Sequence, residues 1–177
     1  MKLTAIALFT LLVLSPALGG PAAAAREVSI QVTSIVASTQ LPEGTPPGQA
    51  PVVDPKLAGF GGKLESLFAY KEYSFAGSSR SGAGFGSACT FQLPERFSLE
   101  VEPERFESEG PGRIEMLVTL FRDTESRDER PRDERARPVR REIVLRTRIR
   151  LENGGVVLLG GPPVRDGVLI LALSARQ

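Results

Sequence analysis

The sequence predicts a mainly β fold of the α+β class, with one domain in which one helix packs on a sandwich-like or curled sheet of seven or eight antiparallel strands. Three observations predict this class. Apolar and polar residues alternate in several segments of strand length. Clusters of glycine and proline separate these segments. Apolar residues recur at helical spacing in one segment, at about residues 54–69.

The first 25 residues predict a signal peptide that is not part of the fold. Lys2 supplies a positive charge, residues 3–14 form an apolar run interrupted only by Thr10, and small residues at 23 and 25 fit a cleavage site. The run is shorter than the roughly 20 apolar residues that a membrane-spanning helix needs. We therefore expect an exported, periplasmic or extracellular domain of residues 26–177 without integral membrane insertion; the alternative is an uncleaved anchor.

The N-terminal half of this domain predicts two strands, a loop and the helix. Residues 28–38 alternate like a half-buried strand, and the proline-rich residues 39–53 predict a loop. Asp54 and Pro55 mark the start of the helix, which should end near residue 69. A second strand is expected at about residues 72–78. The glycine- and serine-rich residues 77–86 that follow predict a flexible turn rather than a phosphate-binding loop.

The C-terminal half predicts the remaining strands of the sheet. Short strands are expected at residues 88–92 and 97–101, and longer alternating strands near 114–121 and 143–151. Asn153-Gly154 predicts a type I′ hairpin turn. The continuous apolar run at 168–173 predicts a strand that is covered on both faces.

The chain has no histidine and one cysteine, and its formal net charge is +1. This composition excludes structural zinc sites built from four Cys or His ligands, histidine-based catalytic triads and disulfides within the chain. We therefore expect no catalytic residue, no metal, no cofactor and no nucleic-acid partner. Cys89 is interpreted as a small buried residue on a strand, the alternative being an intermolecular disulfide or a nucleophilic thiol.

Residues 122–142 form a charged insertion between two predicted strands. Eight arginines and seven acidic residues make up 15 of its 21 positions, so it cannot bury a core, and we expect it to be a disordered protrusion. It is interpreted either as a solvated loop or as a contact region for a partner. The candidate contact residues are Arg127, Arg130, Arg132, Arg135, Arg137, Arg140 and Arg141.

Residues 147–161, TRIRLENGGVVLLGG, resemble the hairpin in the core of bacterial outer-membrane secretins, in which two alternating strands flank a glycine turn and end in Gly-Gly. Most of the remaining chain resembles uncharacterised exported bacterial proteins. The resemblance implies a small exported protein of the envelope-assembly type, with an envelope or secretion-system protein as its partner. It does not imply a pore.

These observations favour a non-enzymatic exported protein, periplasmic or associated with the envelope, that binds another macromolecule. The first alternative is a hydrolase or carbohydrate-active enzyme that uses paired carboxylates, since such catalysis needs no histidine. Its candidate residues are Glu95, Glu100, Glu102 and Glu104. The second alternative is a small outer-membrane barrel, although the aromatic girdles of such barrels are not evident in the sequence.

Overall fold

The computed structural model describes residues 27–40, 44, 50–125 and 139–177. The predicted signal peptide and most of the proline-rich loop lie outside these ranges. The described residues form the following elements: β1 (Glu27–Ser38), β2 (Val52–Val53), a 3₁₀ turn (Pro55–Leu57), α1 (Gly61–Leu67), β3 (Glu72–Gly84), β4 (Cys89–Leu93), a second 3₁₀ turn (Pro94–Arg96), β5 (Phe97–Glu107), β6 (Arg113–Glu125), β7 (Val139–Glu152), β8 (Val156–Val164) and β9 (Gly167–Arg176).

The strands form two sheets. The five-stranded sheet has the order β2-β3-β1-β9-β8, and the four-stranded sheet has the order β4-β5-β6-β7. Every pairing is antiparallel except the short β2–β3 ladder, which is parallel. One apolar core joins both sheets, with buried residues from β1 and β9 on one side and from β4, β5 and β6 on the other. The mainly β, sandwich-like prediction is therefore confirmed, with β2 as a short strand that the sequence does not predict.

Strand β9 is buried on both faces from Leu169 to Leu173, and β1 is buried on both faces from Val32 to Ile35. On β1, Val28 and Ile30 lie in the core between the sheets, whereas Ile35 and Ala37 belong to a second cluster on the other face. The same division holds on β9, since its alternate residues fall into the two clusters. The prediction that the apolar run at 168–173 is covered on both faces is confirmed.

The second cluster is covered by the helical segments, which differ from the single helix predicted at 54–69. The chain instead forms a 3₁₀ turn and a seven-residue α-helix. Asp54 caps the turn by accepting a hydrogen bond from the backbone N–H of Lys56 at 2.9 Å. The glycines at 59, 61 and 62 disfavour one continuous helix. Leu57 and Leu64 are fully buried, so these segments cover a face of the five-stranded sheet.

Strand β3 continues through most of the segment that the sequence interprets as a flexible turn. It pairs with β1 from Glu72 to Gly84, so the glycines and serines of this stretch lie in a regular ladder with one register shift. The prediction of a turn at 77–86 is wrong up to residue 84 because β1 provides a long neighbouring strand. Pairing with a neighbour decides the structure of such residues more than their own low strand propensity does.

The turn at Asn153-Gly154 joins the two sheets and is not a hairpin turn. Strand β7 pairs with β6, and β8 pairs with β9. Only Gly154 has a positive φ, of 80°, whereas a type I′ turn needs positive φ at both central residues. The hairpin prediction is wrong, because the turn signal gives no information about which sheet each flanking strand enters.

Tyr73 fixes the helical cover to β3. Its side chain is fully buried, and its hydroxyl donates to the carbonyl oxygen of Phe68 at 2.7 Å, with the carbonyl oxygen of Leu64 at 3.2 Å. We expect Tyr73→Phe to lower the free energy of unfolding by about 1 kcal/mol, because buried carbonyl groups lose a donor. The matched control is Tyr70→Phe. Equal losses in urea denaturation of the two variants would contradict this role.

The structure confirms that Cys89 is a small buried residue on a strand. It is 9% exposed, is not part of a disulfide, and its thiol donates weakly to the carbonyl oxygen of Val101 at 3.6 Å. Burial raises the pKa of the Cys89 thiol. Because the thiolate is the reactive form, we expect alkylation by a maleimide to be much slower in the native protein than in urea. Equal labelling rates in the two states would contradict this burial.

Candidate binding surface

Strand β7 lies at one edge of the four-stranded sheet, and among the described strands only β6 pairs with it. With 14 residues, it is the longest of the described strands. From residue 145 to residue 151, exposed arginines alternate with side chains that are buried or partly buried. The latter are Leu145, Thr147, Ile149 and Leu151. This alternation forms a strand with one face on the core and one face in solvent. The backbone groups of β7 that point away from β6 have no partner strand among the described residues.

The solvent face of this sheet carries carboxylates on β5 and β6 and arginines on β7. Glu104 accepts hydrogen bonds from Nε and Nη2 of Arg148, at 2.7 and 3.1 Å. Glu115 accepts one from Arg105 at 2.6 Å and lies 3.8 Å from Arg150. The hydrogen bond from Arg105 lowers the pKa of Glu115, and the hydrogen bond to Glu104 raises the pKa of Arg148. Arginines of β7 therefore pair with carboxylates of β5 and β6 across this face of the sheet.

A β-bulge changes the direction of the β7 side chains. Leu145 lies opposite Leu120, but Ile143 lies opposite Phe121, so Val144 is an extra residue on β7. Paired residues share a face of the sheet, and Ile143 therefore lies on the solvent face with Phe121 rather than on the core face with Leu145. Ile143 is 55% exposed and Val144 is 39% exposed.

Two predicted contact residues, Arg140 and Arg141, lie next to this apolar pair. The Arg141 guanidinium lies 4.4 Å from the centre of the Phe121 ring, 3.5 Å from Asp123 and 3.9 Å from Glu100. These contacts hold Arg141 in a fixed position. Arg140 is exposed and makes no side-chain ion pair with the described residues. The other predicted contact residues, Arg127, Arg130, Arg132, Arg135 and Arg137, lie outside the described residues.

We define the β7 surface as Arg141, Ile143 and Arg146, which share the solvent face, together with Val144 at the bulge and Arg140 on the other side of the strand. Like Arg140, Arg146 is exposed and forms no ion pair within the described ranges. A shallow depression of about 410 Å³, lined by Thr124, Arg140, Arg141 and Glu142, lies at one end of this surface. The sequence identifies Arg140 and Arg141 but misses Ile143 and Val144. The signal for the bulge is the run of three apolar residues at 143–145, which interrupts strict alternation.

The charged insertion begins later and ends earlier than the sequence predicts. Residues 122–125 and 139–142 continue the β6–β7 ladder, so the predicted bounds of 122 and 142 are corrected at both ends. Arg122 lies opposite Glu142, and Asp123 lies opposite Arg141. Opposite charges at facing positions stabilise antiparallel pairs, which explains how such a polar stretch continues the ladder.

The four glutamates that were candidates for catalysis do not converge on one cleft. Glu100 and Glu102 lie on the solvent face of β5, and Glu104 is paired with Arg148. Glu95 lies in the turn between β4 and β5 with a φ of 56°, and its carboxylate accepts a hydrogen bond from the backbone N–H of Arg165 at 2.8 Å. Glu95 thus connects the turn between β4 and β5 to the turn between β8 and β9.

A larger groove of about 800 Å³ lies at one end of the five-stranded sheet, where β1, β3 and β9 meet. Its lining is mixed in polarity and includes Tyr70, Glu72, Phe75, Arg165 and Asp166. Arg140 and Arg141, the two predicted contact arginines that the structure describes, do not lie in this lining. The β7 surface is therefore the site that connects the sequence prediction with exposed apolar and cationic groups.

The fold and this surface define a two-sheet β-sandwich with an exposed arginine-rich edge strand. No protein-family model and no curated protein matches the chain. Among solved structures, the chain is similar to the T2SS secretin XcpQ from Pseudomonas aeruginosa, with a TM-score of 0.32 and 9% sequence identity. The match covers 85% of this chain and 56% of the secretin, so the chain spans little more than half of its length. A match this distant carries no conclusion about function.

In the part of the chain that the structure describes, no helix has the length and apolar character to cross a membrane.

The ion pairs of the solvent face predict a dependence of stability on pH. The pKa of Glu115 is lowered in the folded state, so its contribution to stability is present above the ordinary glutamate pKa of about 4.3. That contribution is lost as the pH falls through the lowered folded value. We expect Glu115→Gln to be less stable than the natural protein near pH 7, with the difference disappearing near pH 2.

The control for this experiment is Glu109→Gln, since Glu109 is exposed and makes no ion pair with the described residues. Urea denaturation of both variants at several pH values measures the effect. A difference for Glu115→Gln that stays constant from neutral to acidic pH would show that the ion pair with Arg105 does not cause it.

Proposed function

We propose that this chain is a non-enzymatic exported protein of the cell envelope that acts by binding another macromolecule through the β7 surface. The observation that carries the proposal is the exposure of Ile143 and Val144 on an edge strand between Arg140 and Arg146, two cations without ion-pair partners among the described residues. This combination offers apolar area, charge and unpaired backbone groups at one place.

The composition of the β7 surface supports binding to a protein. Protein interfaces are enriched in arginine and depleted of lysine, and their centres bury apolar side chains. Strand β7 contains five arginines and no lysine. Edge strands usually carry charges that prevent uncontrolled association, and an exposed isoleucine-valine pair departs from that pattern. The departure favours a surface that a partner covers.

The exported location and the type of partner rest on the sequence. Residues 1–25 predict a signal peptide, and the expected partner is an envelope or secretion-system protein rather than a nucleic acid. The charge distribution agrees with this choice. Glu104, Glu115 and Asp123 offset several arginines of β7, which reduces attraction for a polyanion.

Binding is favoured over catalysis because three of the four candidate glutamates are engaged in contacts that support the fold. Glu104 is paired with Arg148, Glu100 lies 3.9 Å from Arg141, and Glu95 accepts the backbone hydrogen bond from Arg165. Paired carboxylates of a glycosidase instead face each other across a substrate.

Capture of partners from an envelope extract tests the proposal. We expect Ile143→Glu to reduce capture about tenfold, since a charge would replace an apolar side chain that the proposed interface covers. Leu67→Glu is the matched control, because Leu67 is 64% exposed on α1, which covers the five-stranded sheet. Loss of capture by both variants, or by neither, would contradict a role of the β7 surface.

A second variant replaces residues 126–138 with the two-residue turn Asn-Gly, so that the β6–β7 ladder can close. It measures the contribution of the five candidate arginines that lie outside the described residues. Unchanged capture by this variant would remove those arginines from the proposed site and leave Arg140 and Arg141.

A further inference from the structure

We infer that β7 binds its partner as an added strand of the four-stranded sheet, and that the partner segment is extended and alternates acidic with apolar residues. This inference rests on the proposed function, because it concerns the same edge strand: residues 145–152 adjoin the β7 surface and share Arg146 with it. It adds the conformation of the bound segment and the order of its side chains.

The backbone of β7 supports strand addition. From Leu145 to Glu152, β7 pairs with β6 without interruption, opposite Leu120 to Arg113. These eight residues span roughly 26 Å at the usual rise of a strand. In a strand with a neighbour on each side, the backbone N–H and C=O groups point alternately to one neighbour and to the other. Among the described strands, β7 has only one neighbour, β6. An extended peptide can bind such an edge through main-chain hydrogen bonds.

The solvent face of β7 favours acidic residues in the partner. Arg146, Arg148 and Arg150 occupy alternate positions on this face. Arg146 forms no ion pair with the described residues, and the side chains of Arg148 and Arg150 remain 64% and 60% exposed despite their contacts with Glu104 and Glu115. Facing side chains on neighbouring strands lie about 5 Å apart at Cβ, within reach of carboxylates.

The core face of β7 favours apolar residues in the partner. Leu145 and Ile149 pack against the core between the sheets but are only partly buried. Their exposed sides lie at the edge of the core, where an added strand would cover them. Because neighbouring residues of a strand point to opposite faces, the two requirements together give alternating acidic and apolar residues.

Strand β5 of the same sheet already has this pattern. Glu100 and Glu102 lie on its solvent face, whereas Leu99 and Val101 are fully buried in the core. The solvent face of the sheet therefore has carboxylates on the strand two positions from β7, with β6 between them. An acidic strand on the free side of β7 would give the arginines carboxylates on both sides.

The test uses acetylated and amidated peptides of about eight residues, the length of a typical strand. The first peptide alternates glutamate and valine, the second has the same residues in two blocks, and the third alternates glutamine and valine. We expect the alternating acidic peptide to bind at least about tenfold more tightly than either control, because only it matches both faces. Hydrogen exchange of individual amides, measured by NMR, should slow at alternate residues of β7 between 145 and 150.

Arg146→Glu should weaken binding of the alternating acidic peptide about tenfold, since attraction becomes repulsion at one facing position. Arg165→Glu is the control, because Arg165 is exposed, lies in the turn between β8 and β9, and makes no ion pair with the described residues. A similar loss in both variants would show a general charge effect and overturn the inference.

Three other results would also overturn strand addition. These are equal affinity for the alternating and blocked acidic peptides, binding without slower exchange on β7, and binding only to phosphatidylglycerol vesicles.

If none of the peptides binds but Ile143→Glu still abolishes partner capture, the proposed function stands and strand addition is wrong. If Ile143→Glu has no effect on capture, the proposed function itself is wrong.

Discussion

The structure depends on the burial of β1 and β9 on both faces. Ile170 and Leu171 are adjacent on β9, and they enter different apolar clusters on opposite sides of the five-stranded sheet. Each cluster must therefore be shielded from solvent by a different part of the chain. The four-stranded sheet covers one face, and the helical segments fixed by Tyr73 cover part of the other. The five-stranded sheet therefore has cover on both of its faces, and the four-stranded sheet has one face in solvent.

The solvent face of the four-stranded sheet carries complementary charges on neighbouring strands. Carboxylates on β5 and β6 pair with arginines on β7, as in the contacts of Glu104 with Arg148 and of Glu115 with Arg150, and Glu115 also pairs with Arg105 of β5. Exposed pairs of this kind contribute little to stability individually. Pairing leaves Arg146 as the arginine on the solvent face of β7 that forms no ion pair with the described residues.

The sequence predicts the fold class and most of the core because alternation reports which residues face inward. It fails where a distant strand decides the outcome. The glycines and serines of β3 become a strand because β1 lies beside them, and Asn153-Gly154 connects two sheets although the local signal indicates a hairpin. At the candidate site, Arg140 and Arg141 follow from charge alone. Ile143 does not, since alternation assigns it to the core with Leu145.

The reason for this last failure also explains why the surface exists. If Val144 paired regularly with Phe121 instead of forming the bulge, Ile143 would lie on the core face with Leu145, and the residues before it would also change faces. With the bulge, Arg141 reaches Phe121 and Asp123, and Ile143 lies among arginines in solvent. A bulge usually weakens an edge as a template for pairing. Here it interrupts the β6–β7 ladder between Ile143 and Leu145 and exposes an apolar pair beside the straight part of β7, so the extended partner that we infer would meet both.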